Sequence, residues 1–334
     1  MPLSTSSSDQ KSTHGRWLRT VGAGLLAALV LLGGWEMFWR GAGFSPAIED
    51  DLGIWAVKRR AVEDEKGPLM VLLGSSRIQL DVEPRIIQAE TGYKPMVLAI
   101  DGSSPLPVLA DLAASSFDGV VLCSLLPQWL ADGGPGKSRS AKWVRKFHEQ
   151  KWSFWIETRL SLLLQENFVF RYPGLLPGKL WEEFRENTLP RPPYAPMRSD
   201  RYRPADYTKT DVGRLRAARV RRQQEIAAAA EPLSGREFAE RISEIREMAD
   251  QIRDKGGEVI FLRLPSCNEI LEIEEATWPR SRYWDRFASV INGRALHFAD
   301  YPELSRFDCP DGSHLDYRDA GPFTRSLIDI LGLR

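Results

Sequence analysis

Cysteine is scarce. The 334 residues hold three, Cys123, Cys267 and Cys309, at separations that match no zinc-ligand spacing. Neither sign of charge is in excess: 45 basic side chains balance 45 acidic ones, so composition leaves no electrostatic footprint for nucleic acid. Histidine is nearly as scarce, with four residues, His14, His148, His297 and His314, to search for a general base. No cofactor and no metal is called for by these counts. The length suits one large α/β domain or two small ones.

Charge is absent altogether from Thr20 to Trp35. With Arg16-Trp17-Leu18-Arg19 before it and Glu36-Met37-Phe38-Trp39-Arg40 after it, the run has the roughly 20 residues needed to cross a hydrocarbon core. Trp17, Trp35 and Trp39 stand where an aromatic belt would. Glu36 would cost about 2.5–3.5 kcal/mol at a helix centre, but near the end it reaches the headgroups. No Ala-x-Ala site follows, which argues against a cleaved signal peptide. Glycine-rich Val21 to Gly34 shows no polar face, which argues against a buried soluble helix. A retained anchor is expected over 17–39, after a disordered polar tail over 1–16 and before a juxtamembrane connector over 40–67. That connector includes a short helix around Leu52 to Val62. Lys11, Arg16 and Arg19 precede the anchor and Glu49-Asp50-Asp51 follow it. The positive-inside rule then puts the N-terminus in the cytoplasm and the rest outside a bacterial-type inner membrane, where disulfides can form.

Beyond the anchor, short apolar runs alternate with helical patterns. Leu69 to Leu73, Val97 to Ile100, Gly119 to Leu125, Glu258 to Pro265 and Ala295 to Tyr301 read as strands. Helices are expected from Pro84 to Glu90, Leu106 to Ala114 and Gly235 to Lys255. This βαβ rhythm predicts an α/β fold, a doubly wound, flavodoxin-like parallel sheet of about five strands over 68–334, with a helical insertion at 138–235. The insertion is rich in apolar side chains, among them Trp143, Phe147, Trp152, Trp155 and Leu164. They predict amphipathic helices that pack on the domain, the commoner outcome, or rest on the membrane. Thr188 to Asp206 reads as an extended loop. Arg214, Arg216, Arg219, Arg221 and Arg222 form a basic helix, read as a solvated face, with anionic lipid or polymer as the alternative. Ala131 to Ser138 fits a relaxed Walker A pattern. However, Pro127-Gln128-Trp129-Leu130 separates it from its strand and Pro135 sits inside the nest, so it reads as a flexible loop.

Two stretches carry chemistry. Gly74-Ser75-Ser76 follows the first strand, and a serine in a tight strand-to-helix turn is what nucleophilic catalysis requires. Near the C-terminus, Asp311 and His314 lie three apart on a turn entering a helix. The carboxylate can therefore hold one ring nitrogen while the other faces outward.

Together these stretches resemble the SGNH (GDSL-like) hydrolase superfamily, and within it membrane-anchored members of the alginate O-acetyltransferase or teichoic-acid D-alanylation type. The likeness covers roughly Leu69 to Leu331. It implies Ser76 as nucleophile, His314 as base and Asp311 as its orienter, with the Gly102 and Ser76 amides forming an oxyanion hole. The Ser76-Arg77 continuation and the wording Asp311-Gly312-Ser313-His314-Leu315 look like the anchored branch. One block departs. The family's Gly-x-Asn-Asp after strand three is replaced by Ser124-Leu125-Leu126-Pro127, and losing one oxyanion donor costs about 2.7–4 kcal/mol. Ser124, Ser103 or Arg77 substitutes, or the chain is a slow or specialised acyl carrier; Ser75 is a further candidate for substrate binding. Cys267 and Cys309 are expected near the site, as a disulfide pinning the Asp311–His314 loop or as two free thiols. Cys123 is expected in the core.

The resemblance implies a serine acyltransferase acting on an exported polysaccharide, with a membrane-bound O-acyltransferase as partner supplying the acyl group. An anchored esterase and a non-catalytic scaffold are the alternatives.

Overall fold

The computed structural model describes residues 8–131, 138–186, 188–291 and 294–334. Five strands, β1 (Leu69–Leu73), β2 (Lys94–Val97), β3 (Val120–Ser124), β4 (Glu258–Arg263) and β5 (Arg294–His297), form one sheet. Every pairing is parallel and the order is β2-β1-β3-β4-β5. That order reverses direction between β1 and β3, and in such sheets ligands bind outside the carboxyl ends of the strands at this point.

The helices, in chain order, are α1 (Ser8–Gly41), α2 (Leu52–Asp64), α3 (Ser76–Asp81), α4 (Pro84–Thr91), α5 (Leu106–Ala114), α6 (Pro127–Ala131) and α7 (Arg139–His148). They continue as α8 (Trp152–Asn167), α9 (Pro177–Arg185), α10 (Val212–Ala228), α11 (Gly235–Arg253), α12 (Asn268–Thr277), α13 (Trp284–Val290), α14 (Pro302–Ser305) and α15 (Tyr317–Leu331). Side chains alternate across the sheet, so each strand feeds two cores. Val71, Leu73, Val121, Cys123, Val259 and Phe261 face one core, with Trp55, Leu109, Ile245 and Phe287. Met70, Leu72, Leu122, Ile260 and Leu262 face the other, with Ile78, Ile87, Phe323 and Leu327. Burial on both faces is why the central strands read as continuous apolar runs.

The chain divides into two compact units. One holds the residues up to Ala47 with Leu164–Pro192, and the other holds Ile48–Leu163 with Pro193–Arg334. In the first, Arg16–Gly41 of α1 is long and apolar enough to span a membrane, with a mean hydropathy of 1.8.

The fold departs from the sequence reading in several places; the expected fifth strand, for one, ends at His297, and Phe298–Asp300 make a 3-10 turn. The polar tail is helical from Ser8, because α1 continues unbroken through it. The 40–67 connector contains α2, which is part of the α/β unit. Asp51 caps α2 by accepting from Ile54 N at 3.0 Å, and Trp55, Ala56 and Val62 enter the core. β2 lies three residues earlier than expected. Lys94 to Val97 make the ladder with β1, and past its end Leu98 and Ile100, both buried, still donate to the Leu72 and Gly74 carbonyls at 3.0 Å. Finally, the insertion is not uniform. In α7, Trp143 and Phe147 join the core beside Trp55, whereas α8 leaves Trp152, Ile156, Leu160 and Leu163 exposed on one face. Residues 132–137 of the Walker-like stretch lie outside the described residues; its ends are Ala131, closing α6, and Ser138, whose hydroxyl caps α7.

Candidate active site

The turn after β1 is built on a steric constraint. Gly74 has φ +152°, and a Cβ there would stand 2.6 Å from Ile78 Cγ1 and 3.0 Å from Ser124 Cβ. Only glycine allows the chain to pass so close to β3. Two residues on, Ser76 opens α3. His314 Nε2 lies 2.8 Å from Ser76 Oγ, and His314 Nδ1 lies 3.0 Å from Asp311 Oδ2. The structure thus brings together three side chains from the two ends of the α/β unit.

The loop carrying Asp311 and His314 is closed on itself. Asp311 Oδ1 accepts from the backbone N–H groups of Ser313 and His314, each at 2.9 Å. Gly312 has φ +87° and lies against Ile270, and its carbonyl accepts from Cys267 N at 3.0 Å. Asp81, which ends α3 and is fully buried, accepts from Leu315 N at 2.9 Å through Oδ1. Burial pushes the Asp81 carboxyl well above the usual carboxylate range. The helix that presents Ser76 is thereby tied at its far end to the loop that presents His314.

Of the two alternatives for Cys267 and Cys309 the structure has the second: both are free thiols, as is Cys123. Cys309 lies against Cys267 as a hydrogen-bond partner, through both its thiol and its backbone. These bonds lower the Cys267 thiol pKa, and Cys309's own goes up. The loop is held by Asp81, the Gly312 carbonyl and Asp311 without a covalent link.

Arginine supplies what the motif alone did not suggest. Arg219 of α10 reaches Asp311 Oδ2 with Nε at 2.5 Å, so this oxygen serves both Arg219 and His314. The basic helix is therefore not simply a solvated face. Burial would raise the Asp311 pKa, but His314 and Arg219 outweigh it and hold the carboxyl far below its usual range. Burial lowers the His314 pKa; Asp311 opposes this and Arg219 adds to it, leaving the ring below the ordinary imidazole value. An ionised Asp311 beside a neutral His314 orients Nδ1–H to the carboxylate and leaves Nε2 free to accept a proton from Ser76. A base must be neutral to act, so any activity that runs through Ser76 and His314 should fall only as pH drops through this depressed value. Arg219→Gln removes a charge that disfavours imidazolium, so the acid limb of the pH–rate profile should move to higher pH. An unmoved limb would mean that Arg219 does not act on the base.

Ser76 and His314 open into a cleft of about 540 Å³, lined also by Ser75, Arg77, Gly102, Gln128, Trp129, Arg219 and Gln223. Gly102, at φ +62°, and Ser76 share this wall. Two expected donors do not. Ser103 Oγ is buried and engaged with Ser140 Oγ and N, both at 3.0 Å, joining the start of α5 to α7. Ser124 is buried beneath Gly74, away from the cleft lining. Arg77 remains. Its Nη2 donates to Glu274 Oε1 at 2.8 Å, while its buried Nη1 has no partner among the described residues. Of the other histidines, His148 pairs with Asp111 at 2.6 Å, and buried His297 accepts from Ala299 N.

No protein-family model matches the chain, and no curated protein matches it.

Proposed function

We propose that this protein is a membrane-anchored, SGNH-type serine enzyme that transfers an acyl group to a hydroxyl of an extracytoplasmic polysaccharide. The observation that carries the reading is the Ser76–His314–Asp311 relay, with contacts of 2.8 and 3.0 Å at the carboxyl edge of β1. In the proposed reaction Ser76 Oγ attacks the acyl carbonyl carbon and its proton passes to His314 Nε2. The C–O bond to the leaving group then breaks, and the proton goes with that group, leaving an acyl-Ser76 ester. An acceptor hydroxyl, deprotonated by His314, attacks that ester and regenerates the serine. Gly102 N–H, Ser76 N–H and Arg77 are the candidate donors to the oxyanion.

Transfer to a sugar is favoured by the cleft wall. Trp129 offers a flat apolar surface, while Gln128 Oε1 and Gln223 Nε2 are buried without a partner among the described residues. Turned outward, this acceptor and this donor would suit neighbouring hydroxyls. The charges flanking α1 favour an N-terminus in the cytoplasm and a catalytic unit outside the inner membrane. There a membrane-bound O-acyltransferase would be the acyl source. Hydrolysis by the same relay, with water as acceptor, is the competing outcome.

A fluorophosphonate probe offered to the full chain in detergent should label wild type covalently and leave Ser76→Ala unlabelled. Equal labelling of the two would end the enzyme reading. With an acetyl ester as donor, product on an added oligosaccharide indicates transfer, and free acetate alone indicates hydrolysis.

A further inference from the structure

We infer that residues 168–186, with Leu189, form a lipid-facing collar, seated in the headgroup layer around the exit of α1. The inference rests on α1 crossing a membrane. Arg16–Gly41 is 26 residues, or about 39 Å of helix at about 1.5 Å per residue. A hydrocarbon core is about 30 Å thick. The final turns, Glu36 to Gly41, therefore stand at the level of the headgroups.

The collar is fastened at that level. Glu36 accepts from Val169 N and Phe170 N through its two carboxylate oxygens, each at 2.9 Å. Arg40 donates to Glu36 at 2.6 Å and to the Asn167 carbonyl at 2.8 Å. Phe44, Val169 and Leu175 form a small buried core with Trp39, Tyr172 and Leu180 against them. These contacts fix the depth of the segment relative to the anchor.

Its outward side is apolar in a way that water does not explain. In α9, Leu180 turns to the small core, while Trp181 and Phe184 stack on each other with centroids 5.9 Å apart and are 61% and 73% exposed. Phe168, Leu176 and Leu189 are exposed in the same unit. Lys179 pairs with Glu182 beside them. Exposed Trp and Phe flanked by charges, held at the depth of a membrane exit, match the amphipathic chemistry of the bilayer interface. The occupant we assign is lipid, not a second copy of the chain or another protein.

The test uses the full chain in vesicles of phosphatidylethanolamine and phosphatidylglycerol. Subtracting the fluorescence of Trp181→Phe from wild type isolates the emission of Trp181. Lipids brominated near the headgroup should quench most of this component, and aqueous acrylamide should quench little of it. Quenching by acrylamide alone would place Trp181 in water and overturn the proposal. Quenching by neither would mean protein covers it, which also overturns the proposal. The remaining tryptophans report on the anchor: if bromolipid quenches none of the total emission, α1 itself does not span, a failure distinct from that of the collar.

Discussion

Replacing Ser76 by alanine is expected to lower ester turnover by about 10⁶-fold, since in a serine–histidine–aspartate relay the members act as one unit. The same logic gives a sharper expectation. His314→Ala introduced into Ser76→Ala should cost almost nothing more, because Nε2 has no proton to take once the hydroxyl 2.8 Å away is gone. Turnover of an activated ester by the two single variants and the double variant, normalised to folded protein, would check this. A further large loss in the double variant would mean that His314 acts on something other than Ser76.

Glu274→Gln should destabilise the fold by about 3–5 kcal/mol, the range for breaking a buried ion pair by removing one partner. Glu274 is fully buried and takes Arg77 Nη2 on Oε1 at 2.8 Å; Arg263 Nη2 and Ser266 Oγ take Oε2. Both arginines are buried as well, so the variant leaves two cations in the interior with no carboxylate. Burial would raise the Glu274 pKa, but Arg263 and Arg77 reverse that and hold it at about 2. A folded-state pKa below the unfolded one contributes stability above the unfolded value, about 4.3 for glutamate. That contribution is lost as pH falls through about 2. Urea unfolding in detergent at neutral pH should show the loss, and the gap between variant and wild type should narrow as the buffer is made acid through this window. Equal midpoints at neutral pH would refute the prediction. Arg77 adjoins Ser76, so the variant should also loosen the Gly74–Ser76 turn.

The parts of this molecule that the sequence discloses are those with a local cause. Buried parallel strands must be apolar on both faces, so β1, β3 and β4 stand out as runs. A glycine-bounded serine and an Asp-x-x-His before the last helix are short-range patterns, and Ser76, Asp311 and His314 could be singled out from them. What stayed hidden depends on long-range direction. Arg219 is one of five similar arginines within nine residues; only the packing of α10 across the cleft picks it as the partner of Asp311. Ser103 and Ser124 do stand near strand ends, but nothing in their neighbourhood shows that one hydroxyl faces Ser140 and the other side chain lies under Gly74. Glu274 sits among Glu272 and Glu275 and looks like them. Its one local signal is a position four after Ile270, which puts it on the buried face of α12. Asp81 gave no signal at all, since a polar residue in a six-residue helix reads as surface.

The Asp81 carboxyl also decides how the site fails. Releasing the Leu315 amide would strip a buried group of its bond to that loop, and unwinding α3 would do the same from the other side. Fraying at Ser76 and fraying at His314 therefore share one cost. Local opening at the two positions is coupled through this one buried carboxyl.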